Sequence, residues 1–335
     1  MIKVYASVQE MDSLREEWND MYDKAGSVTP FQSFDCCRAA LPLLSGRLHV
    51  LGWSRKGVLL AIFPFYIDAG KRLRFINDSH SDFCGPLVLP AAAGDFHMCE
   101  ELADHIRECR EIRRVRLENM RSDLFQTSLQ YQLGGSLLYA YKQFSFFDCA
   151  LEHISKKEKY RLGNIATKME KSGAEWKSFD AARGDLWPEE MISFLTSSMM
   201  ETGIRKKKYF SDRYLAFVRD VYASGKMMIS ATFLKDKPAA CNLFLKNGCE
   251  FIDWMAFYAE PHYNSWNLLE SIGWMRGNGI RTLNFARGIY PYKMHNFKPV
   301  VGSLTRLHWS RSYTGKVADL LECLVSQIKR MKRTR

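Results

Sequence analysis

Residues 226–258 read KMMISATFLKDKPAACNLFLKNGCEFIDWMAFY. Three apolar-rich runs of strand length are separated by Lys235-Asp236-Lys237 and by Asn247-Gly248, which predicts three antiparallel strands joined by short turns. Working outward, apolar spacing predicts helices around 192–199 and 214–221, preceded by a strand AEWKSFD (174–180). Before that strand comes a lysine-rich helix with Leu162, Ile165 and Met169 on one face. Downstream lie a helix around 268–276 and a strand TLNFA (282–286). The order is strand, two helices, three antiparallel strands, helix, strand.

The first half repeats that order. A strand over 2–7 leads to a helix carrying Leu14, Trp18 and Met21 and to a second helix in FDCCRAALPLL (34–44). RLHVLGWS (47–54) and GVLLAIFPFYI (57–67) read as a hairpin across Arg55-Lys56-Gly57, and RLRFIN (72–77) as the third strand. EELADHIREC (100–109) is helical, RRVRLENM (113–120) is a strand, and LLYAYKQFSFFDCAL (137–151) reads as the strand closing this half. Ser45-Gly46-Arg47 and Ser224-Gly225-Lys226 open the hairpins of the two halves alike. Repetition of a whole domain accounts for 335 residues. We therefore expect a pseudo-duplicated α+β protein with domains at 1–150 and 151–335. The terminal helix (315–332), with Val317, Leu320, Leu324 and Ile328, is expected to pack back on the first domain.

Composition narrows the class. At 47% hydrophobic and 25% charged the chain is ordinary globular material, and its longest apolar run, 58–67, is half the length of a membrane helix. With no signal-peptide layout at the start and nine cysteines lacking CxxC spacing, a cytoplasmic, reduced protein is expected. The net charge of +11, from 48 basic against 37 acidic residues, favours anionic partners: nucleic acid, phosphorylated cofactors, nucleotide sugars or a membrane surface. Asp78, His80 and Asp82 in DSHSDFCGP fit an Asx-type turn, and no metal is expected.

The order of elements, together with Lys237-Pro238-Ala239 at a strand turn, Tyr263 with Leu268-Leu269 at a helix start, and Phe285, Arg287-Gly288 and Tyr292-Lys293 in the spacing F-x-R-G-x-x-x-Y-K, resembles the GNAT acetyltransferases of the CelD/BcsL type, relatives of the Fem peptidyltransferases. TPFQS (29–33) and the 72–88 stretch ending in Gly85-Pro86-Leu87 are similar to the same family, so the resemblance spans nearly the whole chain. It implies two GNAT-like domains, each a mixed, mainly antiparallel sheet flanked by helices. Where the family has Pro-Gly at the start of the last helix, this chain has Ser265-Trp266.

The resemblance also implies a reaction: transfer of an acyl group, acetyl or another, from acyl-CoA to an amino group of a sugar or glycan precursor, in a cleft between the domains. Such chemistry needs a proton acceptor and donors for the developing oxyanion. Candidates at the strand ends are His262, Asp253 and Tyr292 as catalytic groups, with Glu260 and Tyr290 nearby. By resemblance Gln32, Asp82, Arg287 and Lys293 bind the acceptor, while Phe257, Asn267 and Leu268 meet the coenzyme. Ser33 either reaches the cleft or caps the helix after it. Two rival readings remain: a Fem-like transferase drawing on aminoacyl-tRNA, with the lysine-rich 156–171 stretch on RNA phosphates, and a catalytically silent glycan-binding module.

Overall fold

The computed structural model describes residues 1–25, 28–121, 124–149, 156–206, 209–289 and 291–334. They form two compact units, Met1–Gln143 with Ser303–Arg335, and Phe144–Gly302.

The first unit starts with β1 (Ile2–Tyr5), α1 (Val8–Asp12), α2 (Arg15–Lys24) and α3 (Phe34–Ala40). Ser33 Oγ accepts the Cys36 N–H and so caps α3, while Gln32 completes a capping box with Thr29. Next come β2 (Gly46–Leu48), β3 (Val50–Arg55), β4 (Val58–Phe63), β5 (Phe65–Asp68), β6 (Arg72–Phe75), β7 (Leu87–Val88), α4 (Phe96–Glu108), β8 (Arg114–Arg121) and α5 (Leu124–Gln132). Pro64, which cannot donate to a ladder, separates β4 from β5, and the two pair in different sheets: β4 with β3, β5 with β2 and β6. β6 then pairs parallel to β8, with α4 as the crossover between them. The core packs Phe63, Phe65, Phe75, Leu102, Ile106, Leu117 and Leu129 among its fully buried members.

β9 (Leu137–Asp148) carries the chain into the second unit, which adds α6 (Lys156–Lys171), β10 (Ala174–Asp180), α7 (Glu189–Glu201), α8 (Asp212–Ala223), β11 (Met227–Leu234), β12 (Lys237–Asn247), β13 (Glu250–Tyr258), α9 (Pro261–Gly277), β14 (Thr282–Arg287) and α10 (Pro291–Phe297). Its strands run in the order β10, β11, β12, β13, β14, β9. All neighbours are antiparallel except β13 and β14, joined by the α9 crossover. Both units therefore repeat one plan: antiparallel strands, a helix, and a strand returning parallel.

β15 (Val300–Ser310) brings the chain back, and α11 (Tyr313–Thr334) follows it. Here the sequence reading needs correction. The 137–151 strand does not close the first half: its Phe144–Asp148 stretch pairs antiparallel with β14, and β15 takes the place beside β8. Each unit thus completes its sheet with a strand that follows the other unit's last parallel strand in sequence. Pairing partners this far apart are set by tertiary fit and leave no local mark on the strand.

Candidate active site

In the second unit the parallel pair β13–β14 holds for only three registered positions, Glu250 with Thr282, Phe251 with Leu283 and Ile252 with Asn284. Beyond Ile252, β13 keeps β12 on one side and has no registered partner on the other among the described residues. Trp254 is the extra residue of a bulge opposite Leu243 and Phe244, and a bulge bends its strand. β14 bulges as well, between Asn284 and Arg287. Its Ala286 takes φ +57°, a left-handed conformation costly for a residue with a Cβ, and donates its N–H to Asn284 Oδ1 at 2.9 Å. Gly288 at φ +100° then turns the chain into α10. The result is a strand edge, Asp253 to Tyr258, with no registered neighbour on the β14 side among the described residues, and this break in the pairing is the gap.

On the α9 face of this edge runs a buried polar chain. Trp176 Nε1 donates to Ser271 Oγ at 3.3 Å, and Ser271 Oγ lies 2.9 Å from Ser230 Oγ. Asn267 Nδ2 donates to Ser230 Oγ at 2.8 Å and to Asn242 Oδ1 at 2.7 Å, and Thr232 Oγ1 donates to Asn267 Oδ1 at 3.1 Å. Asn242 Nδ2 in turn donates to Asp253 Oδ1 at 2.9 Å. Lys293, brought back by α10, ends the chain with Nζ 3.7 Å from Asp253 Oδ2, and donates to the Phe285 carbonyl at 2.7 Å. Burial of such groups is tolerated only because each finds a partner. Burial also pushes the Asp253 carboxyl above its ordinary range, against the pull of Lys293 and Asn242.

The opposite face of β13 is aromatic. Phe257 lies edge-on to Tyr209, with ring centroids 4.7 Å apart, and Trp254 packs edge-on to Phe217 of α8. At the end of β13 the helix α9 begins: Glu260 caps it without a side-chain hydrogen bond and Pro261 is its first residue. Glu260 Oε2 lies 3.2 Å from His262 Nδ1, close enough to orient the ring. A helix start of this kind presents unpaired N–H groups and the positive end of the dipole, a setting that suits phosphate.

The residues singled out in the sequence fall into three groups. Asp253 and Lys293 meet each other, and Asn267 shares their hydrogen-bonded chain; Lys293 is thus turned inward onto a carboxylate. Phe257, Asn267 and Leu268 are fully buried, so their side chains are spent on the interior. His262 and Arg287 are partly exposed around the gap. Tyr290 and the side chain of Tyr292 lie outside the described residues. In the first unit Gln32 accepts the Thr29 N–H and donates Nε2–H to the Pro86 carbonyl at 3.0 Å, which ties the 81–87 loop down, and Asp82 is half-buried in that loop. Trp266 is buried, its Nε1 without a hydrogen-bond partner among the described residues, so its ring does not stand over the α9 start. Sequence reading missed Ser230, Asn242 and Ser271. Their one signal was polar residues inside otherwise apolar runs, ISAT and ACNLF on the strands and LLESIG on the helix.

Residues 156–294 match the sequence model of the Acetyltransferase (GNAT) domain. No curated protein sequence matches the chain. Among solved structures the chain is similar to L-PGS from Bacillus licheniformis (TM-score 0.62, 14% identity, covering 93% of this chain and 96% of that one) and to FemX (0.62, 9%, 88% and 95%). A tandem GNAT protein from the clavulanic acid biosynthesis pathway also aligns (0.50, 10%, 92% and 98%). At such identities the likeness speaks for the fold, and it runs through both units. With its mixed sheets flanked by helices, the chain is an α+β protein that carries a GNAT acetyltransferase domain over residues 156–294, and it is an acyltransferase.

Proposed function

We propose that the second unit transfers an acyl group, acetyl in the simplest case, from a coenzyme A thioester to the amino group of a sugar or glycan precursor, as the resemblance to the CelD/BcsL type implies. The parting of β13 from β14 after Ile252 carries this reading. A strand edge without a registered sheet neighbour on that side among the described residues can take the amide-bearing arm of coenzyme A as an added strand, and the α9 start beyond it suits the arm's phosphates. In the reaction the amine nitrogen attacks the thioester carbonyl, the C–N bond forms, and an oxyanion develops that β13 amides can stabilise. The C–S bond then breaks and the thiolate leaves.

His262 Nε2 takes the proton lost by the amine, with Glu260 orienting the ring. Tyr292 supplies a proton to the thiolate, and Arg287 meets an acidic group of the acceptor. Asp253 and Lys293 act at one remove, holding β13 against α10 so that the gap keeps its width. His262→Gln is expected to lower turnover by about a hundredfold; an unchanged rate removes His262 from the reaction.

Calorimetric titration with acetyl-CoA and with free coenzyme A tests the donor, at moderate salt so that net charge does not imitate affinity. Saturable binding of both is expected, and absence of binding overturns the reading. One observation favours a Fem-like, aminoacyl-tRNA donor instead. α6 exposes Lys156, Lys157, Lys159, Lys168 and Lys171, a row of cations fit for RNA phosphates. Binding of aminoacyl-tRNA that falls steeply with salt, in a protein that ignores coenzyme A, would establish that alternative.

A further inference from the structure

The terminal helix α11 is laid on the first unit with its polar side inward. Gly315 is buried so close to β15 that a Cβ there would come within 2.7 Å of Ser310. Ser310 Oγ donates to Asp319, one helical turn on. One turn further, Glu322 accepts from Arg306 Nη1 at 2.8 Å and from Arg116 Nη2. Gly315, Asp319 and Glu322 form one stripe. Val317, Leu320, Leu321, Leu324, Val325 and Ile328 form the opposite one, and they are 42–58% exposed. The sequence pattern foretold an apolar stripe packed on the first domain; the arginine pair on β8 and β15 takes the acidic stripe instead, and the apolar one faces out.

We propose that this outward stripe docks the protein on an anionic lipid surface. The sequence after it supplies the charge: Lys329, Arg330, Lys332, Arg333 and Arg335, with no acidic residue after Glu322. An apolar stripe flanked by cations is the combination that seats a helix in the plane of the headgroups. Juxtamembrane cations add affinity for anionic lipid in particular. No helix of the described residues is long and apolar enough to cross a membrane, and α11 fits the surface geometry. A second copy fits less well. Six half-exposed aliphatic side chains offer on the order of 500 Å² per partner, under the roughly 800 Å² per partner of a standard interface. Parallel pairing would also bring two basic tails together.

Flotation of the whole chain with vesicles of phosphatidylcholine, with and without phosphatidylglycerol, tests the proposal. The protein is expected to float with the anionic vesicles and far less with the neutral ones. Leu320→Ser with Leu324→Ser should weaken binding at least about tenfold, and Lys332→Gln with Arg333→Gln about tenfold on anionic vesicles. The leucines are exposed, so the variant should melt with the parent; Leu321→Ser with Val325→Ser replaces it otherwise. Three results overturn the proposal: no flotation with anionic vesicles, flotation that the leucine variants share undiminished, or light scattering showing a dimer that those variants dissociate, which would put a second copy on the stripe.

Discussion

Each unit buries a carboxylate on a strand, and the two behave in opposite ways. Among the described residues Asp253 on β13 has one cation, Lys293 at 3.7 Å, and one amide donor, Asn242. Its carboxyl is pushed up, because burial outweighs that company. Glu118 on β8 is also raised by burial, yet Arg306 and Arg116 together bring it down to about 2. Arg306 Nη2 lies 2.9 Å from Glu118 Oε1, Arg116 reaches the same oxygen, and Glu322 balances the two guanidiniums from outside. A unit charge at about 4 Å is worth about 4 kcal/mol at an effective dielectric near 20, comparable with the desolvation cost. One cation leaves a buried carboxylate easier to protonate than it is in water, and two hold it in its charged form. The first unit spends its charges on a fixed ionic cluster that anchors α11. The second keeps a soft pair beside the proposed donor gap.

The largest effect is expected where the ionic cluster is cut. Glu118→Gln leaves Arg306, only 8% exposed in its side chain, and Arg116 to share Glu322. Urea unfolding should show a loss of about 3–5 kcal/mol; a loss within experimental error would mean that Glu322 alone holds the arginines and that two cations on one carboxylate are no advantage. Next in size is the acid limb of the native protein. Glu118 has a folded pKa of about 2 against an ordinary 4.5. Its contribution is present above 4.5 and disappears as the pH falls from there through about 2, an amount of about 3 kcal/mol. Stability measured across that range should fall less steeply in Glu118→Gln than in the parent.

The elements that frame the gap were legible in the sequence, and the chain inside them was not. β11 to β13 announced themselves by apolar runs cut at Asp236 and Gly248, and of the two readings open for Ser33 the structure shows the helix cap in use. Ser230, Thr232 and Asn242, by contrast, look in sequence like the solvent side of half-buried strands, when they face α9. That helix hides its own orientation for the same reason, since Asn264, Asn267 and Ser271 lie on the side that periodicity would assign to water. Hydrophobic patterning cannot register a buried face made of mutually satisfied polar groups. On α11 the failure is reversed: an apolar stripe reads as core, and only the arginines on β8 and β15 reveal that the acidic stripe is the inner one. Lys293 fits the family's spacing at the end of the last strand, yet its inward turn depends on where α10 folds, which no local pattern states.

A smaller effect should come from Lys293→Met, and it sharpens the contrast because its sign with pH is reversed. Without the ammonium, Asp253 folds neutral by keeping its proton, so the loss should be about 1–3 kcal/mol. The folded carboxyl titrates above its unfolded value of 3.8. Folding therefore binds a proton, and the penalty for Asp253 is present at high pH and relieved as the pH falls toward 3.8. The variant should gain stability on mild acidification, in the range where the Glu118 cluster contributes in full. A flat profile would show that Asp253 stays charged with Asn242 alone, and that the number of nearby cations is not what separates the two carboxylates.

The smallest expected effect lies at the far end of the polar chain. Ser271→Ala deprives Trp176 Nε1 and Ser230 Oγ of their shared neighbour, at a cost of about 1–2 kcal/mol. Ser271 touches no charged group among the described residues: Ser230, Asn267 and Asn242 intervene before Asp253. If the soft carboxylate is governed by burial and by its immediate partners, the variant should lose the same stability at every pH, with a slope parallel to the parent's. A changed slope would mean that polarisation travels along the hydrogen-bonded chain. Asp253 and Glu118 would then differ through the whole network behind each of them, beyond the cations alongside.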